Sequence, residues 1–309
     1  MTPKFSAAGL LLVLAFPLVQ ACGGGNDNLP PPPPPPPPPP VTATPPPPPP
    51  PVVDAGPVAP PLPAVTLLPG APSPDPTPAP TVRFVAPTKG QSIPADKVND
   101  FLIKLDVKNW QTAPGSQHVH LILDNKPYKP IYDTKAPVKI SELTGGNPLD
   151  EGQHVLVAFP SRPNHESVKL PGSVSIVEFF VGKPQKRTVD LAKPFLIYSR
   201  PKGEYKGDMA NHVLVDFQLV NDKLADGKDH VHINVSGPGI DAATPLAADV
   251  TKFGTPYYLD NLQDGSYTVK LDLLTGDNQL VPGTWNSTTR EIKIDHAAAS
   301  APAGAPHAM

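Results

Sequence analysis

Four short blocks of this chain occur twice, in the same order and at nearly constant spacing. Arg83-Phe84-Val85-Ala86-Pro87-Thr88-Lys89-Gly90 is matched by Ile197-Tyr198-Ser199-Arg200-Pro201-Lys202-Gly203. Phe101 to Val107 is matched by His212 to Phe217 and beyond, and His118-Val119-His120-Leu121-Ile122-Leu123 by His230-Val231-His232-Ile233-Asn234-Val235. Leu149-Asp150-Glu151-Gly152-Gln153-His154 is matched by Leu262-Gln263-Asp264-Gly265-Ser266-Tyr267. The offset is 112 residues from His118 to His230 and 113 from Gly152 to Gly265. That is the size of a whole domain, well beyond the 20–50 residues of a solenoid unit. Two copies of one domain are expected.

Within each block apolar residues alternate with polar ones, the period of a half-buried strand. Phe101, Ile103 and Leu105 share a face, as do Val213, Val215 and Phe217. Residues 209–225 have the propensity for a helix, but their counterpart in the first copy, flanked by Pro94 and Pro114, is too short for one. Short strands recur with Pro, Gly, Asn and Asp between them, the pattern of an all-β sandwich. Leu262-x-Asp264-Gly265-x-Tyr267 resembles the tyrosine corner that opens strand F of immunoglobulin-like domains. The resemblance implies tandem immunoglobulin-like β-sandwiches, over residues 81–183 and 184–296. Tyr267, and His154 at the matching position of the first copy, are then structural corner residues.

The N-terminal part is built otherwise. Of 49 prolines, 28 fall between Pro30 and Pro80, with unbroken runs at 30–40 and 45–51. Such a tract cannot form a helix or a sheet ladder and favours polyproline II, rising about 3.1 Å per residue. Residues 22–80 are therefore expected to be a disordered stalk, and the Ala/Pro tail 297–309 to be disordered too. Residues 1–21 have the form of a secretory signal, with Lys4 before the apolar run 7–16, which is too short to span a bilayer. Leu18-Val19-Gln20-Ala21-Cys22 resembles a bacterial lipobox, and Cys22 is the one cysteine of the chain. The resemblance implies cleavage before Cys22 and its acylation. Several acyl chains give stable anchoring. Gly23 after the cysteine implies, by the same resemblance, sorting to the outer membrane.

One cysteine excludes a disulfide framework and a four-cysteine zinc site. A formal net charge of −3 leaves no basic field for nucleic acid. There is no G-x-S-x-G, P-loop or dinucleotide fingerprint.

All nine histidines lie after residue 100, and two pairs are spaced H-x-H. Residues two apart on a strand project from one face. With Val119, Leu121 and Leu123 in the core, His118 and His120 are expected to point outward together, and His230 and His232 likewise. Two imidazoles on one face are half of a zinc or copper site, which needs three or four ligands. If the H-x-H strand is strand C, its first residues lie at the end of the sandwich that carries the F–G loop. His165 falls in that loop, whereas His154 and His212 lie at the other end. The candidate site is His118, His120 and His165, with Glu166 beside it. His230 and His232 are weaker candidates, because the second copy has Asn278 near the place of His165.

From sequence alone, the expected function is a non-enzymatic envelope lipoprotein, membrane-bound through its lipid. It presents tandem domains on a stalk as a binding or adhesion module for a protein or polysaccharide partner. The alternative is a periplasmic or surface protein that binds Zn or Cu through the histidines of the first domain.

Overall fold

The computed structural model describes residues 33–37 and 62–299. The signal segment 1–21, Cys22, most of the proline tract and residues 300–309 of the tail lie outside the described residues. The chain divides into two units, 1–59 and 60–309. In the first, residues 33–37 are exposed and without regular structure. All the strands belong to the second.

The strands in chain order are β1 (Thr66–Pro69), β2 (Thr81–Ala86), β3 (Gln91–Ile93), β4 (Leu102–Lys108), β5 (His118–Leu123) and β6 (Lys129–Ile131). They continue with β7 (Val138–Lys139), β8 (Gly152–Ser161), β9 (Ser175–Val181), β10 (Phe195–Arg200), β11 (Gly203–Lys206) and β12 (His212–Val220). The last five are β13 (His230–Ser236), β14 (Leu246–Val250), β15 (Tyr257–Asp260), β16 (Gly265–Leu274) and β17 (Ser287–Asp295). Among the described residues, helix is limited to one turn at Ser141–Thr144 and a 3-10 turn at Gly207–Ala210.

The first copy sets a β2-β4-β7 sheet against a β3-β9-β8-β5-β6 sheet. The second sets β1-β15-β12-β10 against β11-β17-β16-β13-β14. Strand for strand, β10 repeats β2, β13 repeats β5, and β16 repeats β8. In both copies the chain leaves the first sheet at a register irregularity, between Phe84 and Ala86 and between Tyr198 and Arg200. It then runs parallel to the last strand of the other sheet, as β3 on β9 and β11 on β17. The protein is thus all-β, with two tandem immunoglobulin-like sandwiches. Residues 212–220 form a strand, because Val213, Val215 and Phe217 pack into the second core. In the first core, Val119, Leu121 and Leu123 meet Ile103, Leu156 and Phe179.

Two arrangements differ from the sequence expectation. The stalk assigned to 22–80 is not wholly outside the fold. Thr66–Pro69 pairs antiparallel with β15, from Thr66 opposite Asp260 to Pro69 opposite Tyr257, and closes the edge of the second domain's sheet. Val65 and Leu67 enter that domain's core. The physical reason is local: Val65-Thr66-Leu67-Leu68 is an apolar, β-favouring island between prolines, and an edge strand tolerates a proline at its end. Gly70 follows, where a Cβ would stand 2.5 Å from the Tyr258 ring.

The second difference concerns the sheet that carries His118 and His120. Its outer face is covered by the second domain. Ile122, Tyr128, Val155, Val157 and Phe159 of the first copy pack with Phe195, Ile197 and Trp285 of the second. Asn125 ties the contact: its side chain accepts from the Tyr198 N–H at 2.8 Å and donates to Thr288 Oγ1 at 3.0 Å.

Candidate metal centre

β5 sends Val119, Leu121 and Leu123 inward and His118, His120 and Ile122 to the opposite face. That face was expected to meet solvent. His118 is instead 1% exposed and His120 fully buried, because the second domain lies over them. His165 reaches the same place from the turn between β8 and β9. Its backbone is left-handed, with φ 67°, and its N–H donates to the Arg162 carbonyl at 2.9 Å. Asn278 holds the equivalent place in the second copy, with φ 61° and the matching bond to the Thr275 carbonyl. Asn and His are among the non-glycine residues that enter this region most readily.

Three ring nitrogens converge. His118 Nε2 lies 3.1 Å from His120 Nε2 and 3.1 Å from His165 Nδ1. One nitrogen from each ring lies within 4.8 Å of the other two. A tetrahedral ion with bonds near 2.0–2.1 Å would separate its nitrogen ligands by about 3.3 Å. The His118 tautomer follows from its surroundings, because Nδ1–H donates to the Ser116 carbonyl at 2.8 Å and leaves the Nε2 lone pair facing the cluster. Such an outer hydrogen bond orients imidazole ligands in metal sites generally. Two nitrogens face that one lone pair, which accepts one hydrogen bond well, whereas a cation between the three rings satisfies all of them.

Burial also sets the charge of the rings. It lowers the His118 pKa to about 4, against the opposing pull of the Ser116 carbonyl, with Arg200 lowering it further. His120 is pushed well below its usual range by burial first, then by its histidine and cationic neighbours. Both are neutral at neutral pH, the form in which imidazole coordinates a metal.

The walls are aromatic and cationic. The His120 ring stacks on Tyr128 with centroids 3.4 Å apart and planes 12° apart, and meets Phe159 edge-on at 5.4 Å. The Tyr128 hydroxyl is 3.3 Å from His165 Nδ1 and accepts from Arg200 Nε at 2.9 Å. Lys202 Nζ lies over the Tyr128 ring, 4.4 Å from its centroid. His120 Nδ1 is 3.2 Å from Ser199 Oγ.

The remaining candidates separate. Glu166 is buried but turned away: its carboxylate accepts from the Ser73 N–H at 3.0 Å and from the Ser73 hydroxyl. His154 lies at the far end of β8, where both ring nitrogens face acceptors, Asp124 Oδ2 at 2.6 Å and the Asp150 carbonyl at 2.8 Å. Tyr267 accepts from the Gln263 N–H and donates to the Pro238 carbonyl, both at 2.8 Å. In the second copy His232 Nδ1 bonds Asp249 at 2.6 Å, with His230 Nε2 3.8 Å from the same oxygen. No third imidazole joins them among the described residues.

Sequence reasoning missed Tyr128, Ser199, Arg200 and Lys202. One signal was present. From Val155 to Phe159, β8 is an unbroken apolar run, whereas β16 alternates as Thr268, Lys270 and Asp272 against Val269, Leu271 and Leu273. A strand apolar on both faces is covered on both.

No protein-family model matches the chain, and no curated protein sequence matches it. Among solved structures it is similar to the fibronectin(III)-like modules of CbhA from Clostridium thermocellum, at 14% identity over 72% of this chain and 98% of that one, with a TM-score of 0.25. It is also similar to the tandem V-type regions of VCBP3, a v-region-containing chitin binding protein, at 10% identity over 70% and 99%, with a TM-score of 0.22. A third is the N-terminal Ig1-2 module of the Drosophila receptor protein tyrosine phosphatase DLAR, at 9% identity over 69% and 98%, with a TM-score of 0.19. These scores are low, and none of the three bears on the histidine cluster.

Proposed function

We propose that the chain is a lipid-anchored bacterial envelope protein that binds a copper or zinc ion between its two immunoglobulin-like domains, with His118, His120 and His165 as ligands. The observation that carries this is the convergence of three buried ring nitrogens, two of them 3.1 Å from the third. Buried polar atoms normally find partners, and three facing imidazoles are best served by a shared cation. The adhesion-module expectation rests on architecture alone, and sandwiches host many functions. The triad gives the metal reading a site.

Titration of the full chain with Zn²⁺ or Cu⁺ tests it. One equivalent should bind tightly. His165→Ala should weaken binding more than about 100-fold, beyond the 10–100-fold typical of losing an outer-shell partner. His154→Ala should leave affinity unchanged. Equal affinity in wild type and His165→Ala would sink the site.

Anchoring is supported by the placement of Cys22 after the lipobox-like Leu18 to Ala21. Among the described residues no helix is long and apolar enough to cross a membrane. Cys22→Ser should abolish acyl labelling and move the protein from the membrane to the soluble fraction.

A further inference from the structure

We infer that this site prefers a monovalent ion, Cu(I), over Zn(II) or Cu(II), because buried cations stand beside a ligand set that carries no negative charge. The inference rests on the metal reading and concerns which ion the triad takes.

Three neutral imidazoles leave a bound ion its full charge. The nearest buried carboxylate in sequence, Glu166, is held by Ser73 and lies 3.7 Å from Arg162, which draws its charge away from the triad. Around the site the charges are positive. Arg200 is 4% exposed and Lys202 is 2% exposed. Arg200 is one phenol away from a ligand, since the Tyr128 hydroxyl that accepts its Nε–H is 3.3 Å from His165 Nδ1. Lys202 is one ring away. The Tyr128 ring has His120 at 3.4 Å and Lys202 Nζ at 4.4 Å, which leaves each of them one face.

Neither cation is neutralised. Arg200 donates to the phenols of Tyr128 and Tyr205, while its Nη2 and Lys202 Nζ are buried without a hydrogen-bond partner. Among the described residues no carboxylate pairs with Arg200, Lys202 or the nearby Arg290. A buried charge left unpaired is costly, so its retention beside the triad sets a positive potential there. Repulsion from that potential doubles for a divalent ion. At an effective dielectric near 20 and a separation of about 8 Å, one cation weakens binding by on the order of tenfold for each unit of ion charge.

Coordination points the same way. Zn(II) completes a tetrahedron with a fourth ligand, and this site is closed on the His120 side by Tyr128 and Phe159. Cu(I) is satisfied by two or three nitrogen donors.

The experiment uses the full chain, with Cu(I) titrated anaerobically against a chromogenic chelator and Zn(II) by competition. Wild type should bind Cu(I) more tightly than Zn(II). Lys202→Met, which removes the charge and keeps the length, should strengthen Cu(I) binding about tenfold and Zn(II) binding about 100-fold. Lys202→Gln should repeat that narrowing of the ratio, and Lys202→Arg should leave the ratio unchanged. The reduction potential of the bound copper should fall in Lys202→Met. Zn(II) binding tighter than Cu(I) in wild type, or equal changes for both ions in Lys202→Met, would overturn the preference while leaving the metal site standing. Failure of both ions to bind wild type would overturn the site and the preference together.

Discussion

Two histidines of the first domain are driven to opposite charge states by their surroundings. His118 has one nitrogen on a carbonyl and the other among imidazoles, so burial keeps it neutral. Burial acts on His154 in the same direction, but the Asp124 carboxylate outweighs it and the pKa is raised. With Nδ1 on Asp124 and Nε2 on the Asp150 carbonyl, both nitrogens donate, which only the imidazolium can do. A folded-state pKa above the unfolded value of about 6.5 means this pair stabilises fully below that pH and loses its contribution as pH rises through the folded pKa. Asp124→Asn should therefore cost about 1–3 kcal/mol near pH 6 and much less near pH 9. Urea denaturation of both proteins at the two pH values measures the difference, and an equal cost at both would refute a charged pair.

At the scale of elements, β1 and β8 decide what the repeat cannot. β1 comes from a region that composition assigns to the stalk, yet it completes the sheet of the domain farther along the chain. Its hold is a ladder with β15 and the burial of Val65 and Leu67. Leu67→Ala should cost about 2–4 kcal/mol, within the range for buried leucines. Gly70→Ala should destabilise as well, since its Cβ would press on the Tyr258 ring. Both show as lowered thermal midpoints. No change in either would mean that β1 is detached in solution. β8, apolar on both faces, is what turns an outward histidine pair into a buried one.

At the scale of the whole molecule the two sandwiches are one packed body. Ile122, Val157 and Phe159 meet Ile197 and Trp285 across the contact, and Asn125 and Arg290 bond main-chain atoms there. Arg290 donates to the carbonyls of Ser199 and Tyr198, next to the residues that wall the histidine cluster. Calorimetry should accordingly give one cooperative transition. Ile122→Ala, a core-sized loss at the contact, should cost about 2–4 kcal/mol and lower the melting of both halves together. Two separate transitions, with only one shifted, would show independent domains.

The sequence by itself determined what depends on local pattern and on copying. Alternation placed Val119, Leu121 and Leu123 inside, the repeat settled 212–220 as strand, and the order of strands sent His118, His120 and His165 to one end of one sandwich. These follow from strand periodicity and from the topology of a known sandwich class. Tertiary structure alone decided that the outer face of β5 is closed and not wet, that β1 leaves the proline tract to finish a distant sheet, and that Tyr128, Arg200 and Lys202 surround the triad. Those outcomes join residues from different copies. The partner of a face lies in no local pattern, only in the apolar surface that two folded units bury against each other.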